Sequence, residues 1–483
     1  MPRRGWGPPA APGWLTLALC AIMGAIALVF SAGPAAQHRV SRNPVNDSIR
    51  QPREAVVFGQ LLEGGRAVRR ARPRFARGHI VVKFEPNVSA RSVGQLAADA
   101  GAREVVRPAH ADFHYLRLDE GQDPVGAAGR LSGRAGVVYA EPDPIVHPRY
   151  RPNDQYYRYQ WNFSKIGMEA AWELNNGGSS RTTVAVLDTG VAYLGQGEFS
   201  QAPDFAGTRF VAGYDFIWER DTPFDTDGHG THVTGTIAQT TNNSTGAAGM
   251  AFNVNIMPVK VLASDWDLDR GSPNDSTMSV LAQGIRLAAD RGAKVINLSL
   301  GAEDPSSPVE SAIRYAVGKG AFIATAAGNS GDDENLPEWP ASYARSIEGL
   351  MAVAAVGFNL QRAPYSAHQD YVEIAAPGGN LDEDLNNDTY GDGILQQTFD
   401  PTYSERGIFN RFAYMFYEGT SMSTAHVSAM AALLHDQGIT SPAAIEAAIK
   451  LTASQKPAGG RNNDIGSGII DARAALRGLG LAR

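Results

Sequence analysis

One cysteine in 483 residues leaves no way to build a disulfide framework. Cys20 lies in an apolar segment near the N-terminus, so stability must come from packing or from bound metal. Aromatic residues make up only 8% and charged residues 19%, and no internal repeat is present. A hydrophobic content of 43% still argues against disorder throughout and for a loop-rich globular chain with 52 Gly and 28 Pro. None of the glycine-rich turns sits in the strand–GxGxxG–helix context of a dinucleotide fold. Positive charge is scarce over most of the length. Residues 1–150 carry 20 Lys+Arg against 12 Asp+Glu, whereas residues 151–483 carry 23 against 38. An acidic body argues against nucleic acid as a partner and suits a protein that binds cations.

Long apolar runs are also rare. Arg3 and Arg4 precede Leu15 to Phe30, which is followed by Ser31, Ala32, Gly33, Ala35 and Ala36. That order is the layout of a secretory signal over residues 1–36, and export follows from it. Uncleaved, the same run would be a membrane anchor at the short end of a spanning helix. Residues 37–75 are Arg-rich, lack periodicity and read as a linker. From 76 to 150, strand patterns at 79–86, 112–119 and 136–146 alternate with helix patterns at 89–101 and 123–133. This predicts a small α+β, ferredoxin-like domain.

The rhythm changes over 151–483. TTVAVLDTGV, NVNIMPVKVL, AKVINLSLG, AFIATAAGN and LMAVAAVG are short, near-continuous apolar strands separated by helical patterns. Strands of this kind are buried on both faces, which predicts an α/β domain with a mostly parallel sheet and helices on both faces. Sites in such sheets lie beyond the carboxyl ends of the strands, where Asp188, Ser299 and Asn329 fall. Residues 380–417 form an acidic and aromatic insertion for which the sequence alone offers no physical account.

Three glycine-flanked turns carry the chemistry. Asp188 closes VAVLD, His229 sits in DGHGTHVTGT at a helix start, and Ser421 sits in GTSMSTAHV, where small residues run into an apolar helix. Alone, each has an ordinary reading: Asp188 and Ser421 as helix caps, His229 as a loop histidine. Together they are the parts that hydroxyl nucleophilic catalysis requires, namely a nucleophile, a base, and a carboxylate that orients the base. A helix N-terminus at Ser421 also favours developing negative charge.

Through AVLDTGV, DGHGTHVTGTIA, NLSLG, AAGNS and GTSMSTAHV, in that order, residues 151–480 resemble the subtilisin (subtilase) family of serine proteases. The resemblance implies an autoprocessed, secreted or cell-envelope endopeptidase acting on peptides and proteins outside the cytoplasm. A membrane-anchored processing protease of narrow specificity is the alternative. It implies Ser421 as nucleophile, His229 as general base and then acid, Asp188 as orienting carboxylate and Asn329 as oxyanion donor beside the Ser421 N–H, with no catalytic cofactor. Ser299, Leu300 and Gly301 correspond to the segment that pairs with an extended substrate, and Ala326, Ala327 and Gly328 to the opposite wall. Glu338 falls near the base of the main specificity pocket, which favours Lys or Arg at P1. The loop 240–249 resembles the family's structural calcium loop. The implied all-oxygen shell is Gln155, Asp204 and Asn243 with the carbonyls of Thr241, Thr245 and Ala247. A second set, Asp215, Asp221, Thr222 and Asp225, resembles a further site of thermitase-like members. Residues 79–147 look like the inhibitory propeptide, with its junction near His147 to Pro152 and cleavage at Arg149, Tyr150 or Arg151. One departure is Ala425, where the family commonly has proline; a helix start without that ring is expected to be less rigid.

Overall fold

A computed structural model describes residues 75–119, 121–144 and 150–478. The apolar run at 15–30, the linker up to residue 74 and residues 145–149 of the junction lie outside them. Among the described residues no helix is long and apolar enough to cross a membrane.

The N-terminal unit begins with β1 (Phe75–Phe84), α1 (Ala90–Asp99), β2 (Ala102–Val106) and β3 (His114–Leu118), and continues with α2 (Pro124–Leu131) and β4 (Val137–Pro144). Both helices start where sequence chemistry dictates. Ser89 Oγ accepts from Ser92 N at 3.2 Å, and Asp123 accepts from Val125 N and Gly126 N with Pro124 in the first turn. The strands pair antiparallel in the order β2-β3-β1-β4 over a core of Ile80, Val82, Leu96, Leu116, Leu118 and Leu131. The sequence reading missed β2, because AREVV exposes its three central residues and has no buried face to impose alternation. With β2 restored the order is the β-α-β-β-α-β of ferredoxin-like modules.

The larger unit opens with two short helices, α3 (Trp161–Lys165) and α4 (Met168–Trp172). Its parallel sheet uses β5 (Thr183–Asp188), β6 (Arg209–Phe210), β7 (Tyr214–Asp215), β8 (Asn255–Lys260), β9 (Val295–Leu298), β10 (Phe322–Ala326), β11 (Leu350–Val356) and β12 (Ile374–Pro377). The strand order is β12-β11-β10-β9-β5-β8-β6, with β7 also on β8, and every pairing is parallel. Alternation along β5 sends Val184 and Val186 to one core and Ala185 and Leu187 to the other. The first face is covered by α5 (His229–Ala238), and the second by α7 (Met278–Asp290) and α8 (Ser307–Gly318), while the short α6 (Asp265–Asp269) follows β8. This is the expected α/β subtilisin-like architecture.

The 380–417 insertion now has a physical role. It contains β13 (Ile394–Phe399), the short α9 (Pro401–Ser404) and β14 (Phe412–Tyr417), the two strands pairing as an antiparallel hairpin packed against α5. Buried polar side chains of β13 satisfy backbone groups around the His229 helix. Gln396 Nε2 donates to Ala248 O at 3.0 Å, Thr398 Oγ1 donates to Gly228 O at 2.6 Å, and Gln397 Oε1 accepts from Asp204 N at 2.9 Å.

After β14 comes α10 (Thr420–Asp436), buried from Thr420 through Leu434, then α11 (Pro442–Thr452) and α12 (Ala472–Arg477). Ser421 is not the cap of α10. The cap position is Gly419, at φ 149°, and Ser421 lies within the first turn. The helix runs through Ala425 without a break, and its start is pinned by Ser423 Oγ donating to Ala376 O at 2.9 Å.

One charged group ties the sheet to the loops above it. Lys260, the last residue of β8, is fully buried and pairs with buried Asp267 at 2.9 Å. Its ammonium also donates to Thr189 O at 2.6 Å and Thr226 Oγ1 at 3.0 Å. Asp267 in turn accepts from Trp218 Nε1 at 2.6 Å and from Thr226 Oγ1 at 2.7 Å. Removing one partner strands the other charge in the interior. Lys260→Met should therefore cost about 3–5 kcal/mol, read as a lowered midpoint of chemical denaturation.

Candidate active site

Strand ends and helix starts converge at the carboxyl edge of the sheet. Asp188 ends β5 and is fully buried; His229 begins α5 and is 5% exposed. Glycine permits their approach. A Cβ on Gly230 would lie 3.1 Å from Asp188 Cβ, and one on Gly190, at φ 103°, would strike the backbone of Phe224 and Asp225. His229 Nδ1 donates to Asp188 Oδ1 at 2.7 Å. Burial pulls the imidazole pKa down, but the charge and hydrogen bond of Asp188, joined by Asp227 and Asp225, outweigh it and raise the value to about 9.

Ser421 is 1% exposed and tied to Ser299 at the end of β9 in both directions. Its Oγ donates to Ser299 O at 3.3 Å, and Ser299 Oγ donates to Ser421 O at 2.9 Å. Behind Ser299, Asn297 Nδ2 donates to its hydroxyl at 2.9 Å, and Ser428 Oγ on α10 donates to Asn297 Oδ1 at 2.8 Å. Asn329 follows β10. Its Oδ1 accepts from Thr420 N at 2.9 Å and Thr420 Oγ1 at 2.8 Å, which fixes the amide and leaves Nδ2 buried and without a partner among the described residues. A Cβ on Gly419 would lie 3.5 Å from Asn329 Nδ2 and 3.7 Å from Ser421 N. The missing side chain thus leaves space between two N–H donors, the cradle an oxyanion needs.

Ser299, Leu300, Ala326 and Ala327 line the ends of β9 and β10 as buried residues, with Gly301 and Gly328 beyond them. Glu338 lies between these two walls, since a Cβ on either Gly301 or Gly328 would collide with its carboxylate. Backbone bonds between Ala302 and Trp339, 2.8 Å in each direction, hold the segment there, and Asn329 N donates to Glu338 Oε1 at 3.3 Å. Burial raises the Glu338 pKa, opposed by the Asn329 N–H and assisted by Glu303, to about 7.

Two members of the predicted calcium shell, Asp204 and Asn243, meet in the structure. Asp204 is fully buried and accepts from Asn243 Nδ2 at 3.1 Å and Ala247 N at 2.9 Å. Gln155, by contrast, is exposed, and the residue facing the loop is its neighbour Asp154. Asp154 is 5% exposed, and its two oxygens accept from Asn242 N at 3.0 and 2.8 Å. The sequence reading chose the amide by resemblance; burial selects the carboxylate. Burial pushes the pKa of Asp154 up, and that of Asp204 up to about 6. Neither carboxylate pairs with a cationic side chain among the described residues. Two buried acids against one oxygen-rich loop fit a hard cation. The second predicted set does not fit as well. Asp225 is 1% exposed and accepts from Thr189 Oγ1, Asp227 N, Gly228 N, Thr231 N and Thr231 Oγ1, while Asp215 accepts from Ile217 N, Trp218 N and Arg220 Nε. These carboxylates are committed to protein donors that organise the loop into α5. Asp225, Asp227 and Lys260 are the neighbours that sequence reasoning did not assign to the His229 site. The acidic run DTDGHG and the lysine inside VKVL were the available signals.

The model of the subtilase family matches residues 179–468, and that of the fervidolysin N-terminal prodomain matches residues 63–143. The thermophilic serine proteinase of Bacillus sp. (strain AK1) is 33% identical over 396 residues, 81% of this chain and 84% of its own length. Thermitase of Thermoactinomyces vulgaris is 36% identical over 307 residues, 63% of this chain and 92% of its own. Among solved structures, fervidolysin from Fervidobacterium pennivorans, described as a keratinolytic enzyme related to subtilisin, aligns at 26% identity. Its TM-score is 0.53, and the match covers 84% of this chain and 61% of that one.

His229 titration makes a direct prediction. A raised folded-state pKa contributes stability below the unfolded value of about 6.5, and that contribution is lost as pH rises through about 9. The neutral imidazole, the form able to accept a proton, appears over the same upper range. An NMR titration should find the His229 ring near 9 and should find it lowered in Asp188→Asn.

Proposed function

Because the chain belongs to the subtilase family and is a serine endopeptidase with an N-terminal prodomain, we propose that Ser421 is its nucleophile. His229 takes the hydroxyl proton as Ser421 Oγ attacks the scissile carbonyl, then returns it to the leaving amine. Asp188 holds the ring through Nδ1 and stabilises the imidazolium that forms between the two steps. Asn329 Nδ2 and the Ser421 N–H receive the developing alkoxide. The single observation that carries this reading is the clamped Asn329 amide, whose buried Nδ2 has no partner among the described residues. A donor left unpaired in the interior costs free energy unless a ligand or transition state uses it.

The reading extends to the remainder of the chain. The substrate backbone would lie between 299–301 and 326–328 as an added strand. Calcium, when bound, would neutralise Asp154 and Asp204 and tie the start of the catalytic body to the 240–249 loop through Asn243 and the carbonyls of Thr241, Thr245 and Ala247. The prodomain would act as an intramolecular inhibitor removed by self-cleavage, and the mature enzyme would work outside the cytoplasm after export. Tyr150 packs edge-on against Trp172 with centroids 5.6 Å apart, and Arg151 lies over the Tyr157 ring at 5.7 Å. Both contacts belong to the catalytic body, which favours cleavage on the N-terminal side of Tyr150.

Labelling the mature enzyme with a serine-directed phosphonate, followed by mass spectrometry, should place the adduct on Ser421 alone. An adduct elsewhere would overturn the assignment. Asn329→Ala should lower kcat by roughly 10²- to 10³-fold with little change in KM, a range first set by the equivalent amide of subtilisin itself.

Glu338 supplies the proposed substrate class, peptides with Lys or Arg at P1. A half-buried carboxylate between the pocket walls without a cationic side chain to pair with, among the described residues, favours a cationic guest. With its pKa near 7, the preference for P1 Lys over P1 Leu should grow as pH rises through 7 and should vanish in Glu338→Gln. A P1 library profile unchanged by that substitution would remove Glu338 from specificity.

A further inference from the structure

The insertion before the β13–β14 hairpin contains DEDLNNDTYGD, residues 382–392, and its acidic residues have no part in the catalytic reading. Asp384, Asn386, Asp388, the Tyr390 carbonyl and Asp392 fall at the first, third, fifth, seventh and ninth places of the alternating pattern by which a twelve-residue loop wraps Ca²⁺. The backbone follows the same course. Asp384 Oδ1 and Oδ2 accept from Asp388 N and Thr389 N, both at 3.1 Å, and Asn386 Oδ1 accepts from Asp388 N at 2.8 Å. Thr389, at the sixth place where such loops use glycine, has φ 77°, in the left-handed region that a β-branched residue rarely enters. The twelfth place is Leu395, so the bidentate glutamate of that loop is missing and Asp392 must serve in its stead.

Asp392 is what distinguishes this loop from an ordinary acidic turn. Its residue is fully buried; Oδ2 accepts from Leu385 N at 2.7 Å, and Oδ1 has no hydrogen-bond partner among the described residues. The carboxylate faces the inside of the loop, with Asp384 and Asp388 as its charged neighbours. No cationic side chain pairs with Asp384, Asp388 or Asp392 among the described residues. A carboxylate oxygen buried without a donor beside two like charges favours a cation.

We propose that residues 384–392 form a calcium site separate from the one at Asp154 and Asp204, with Asp384, Asn386, Asp388, the Tyr390 carbonyl and Asp392 as ligands. Among the described residues no three acidic, His or Cys side chains are gathered to hold a metal. Binding therefore draws exposed Asp384 inward onto Asp388 and Asp392 and orders the loop. Oxygen-only donors on a pliable loop suit Ca²⁺ better than Mg²⁺, which demands a tight octahedron and keeps its waters. The base of the loop reaches the link between β14 and α10, since Leu381 N donates to Glu418 Oε2 at 2.7 Å, two residues before Thr420. Calcium here would brace the turn that presents Ser421.

Terbium luminescence tests the proposal on phosphonate-inhibited mature enzyme stripped with chelator. Tyr390 lies within the loop, so its excitation should sensitise bound Tb³⁺, and Ca²⁺ should displace the signal. Asp384→Asn/Asp388→Asn should abolish that component and leave the one lost in Asp204→Asn; a titration identical to the unsubstituted enzyme overturns the proposal. Hydrogen exchange on the unsubstituted enzyme needs no variant to fold. Ca²⁺ should slow exchange at Asp388, Thr389 and Tyr390, and exchange unaffected by Ca²⁺ at those amides overturns it equally.

Discussion

The first turn of α10 is held against the ends of β9 and β10 by buried hydrogen bonds that leave it no freedom to shift. Ser299 and Ser421 exchange bonds in both directions, Asn329 Oδ1 receives two from Thr420, and Gly419 N donates to Gly378 O at 3.0 Å. Every one crosses between elements far apart in sequence. In a site this dry each unmade bond would cost the full desolvation of its groups, so the turn has one arrangement. The orientation of the Asn329 amide and the position of the Ser421 hydroxyl both follow from that restraint.

The same constraint explains how charge is distributed. His229 is surrounded by Asp188, Asp225 and Asp227, and the buried ammonium of Lys260 stands behind them at the end of β8. Asp225 spends its oxygens on the loop into α5, and Asp188 keeps one for His229. Farther out, acids without basic partners among the described residues collect at the 240–249 loop, at Glu338 and at Asp392. The excess negative charge of the body is therefore concentrated where a cation, whether calcium or a substrate side chain, would neutralise it.

Much of this was legible in the sequence because the signals are short-range. Apolar runs of strand length, glycine-flanked turns at Asp188, His229 and Ser421, and capping residues such as Ser89 and Asp123 each act within a few positions. The strand β2 was missed for the converse reason: an edge strand with an exposed centre has no periodic signature. Gln155 rests on resemblance, which aligns positions, whereas burial of its neighbour Asp154 depends on which side of the chain meets the 240–249 loop.

By itself the sequence determined the alternation of central strands and helices, the parallel sheet, the small leader domain and the three turns that carry the reactive groups, all of which follow from local periodicity and backbone geometry. Only the tertiary structure decided the partners. It brought Glu338 between Gly301 and Gly328, fixed Asn329 by Thr420 some ninety residues away, committed Asp225 to backbone donors, and folded the 380–417 insertion against α5. Hydrogen bonding and desolvation of buried polar groups depend on neighbours distant in the chain, and no window of sequence contains both halves of such a contact.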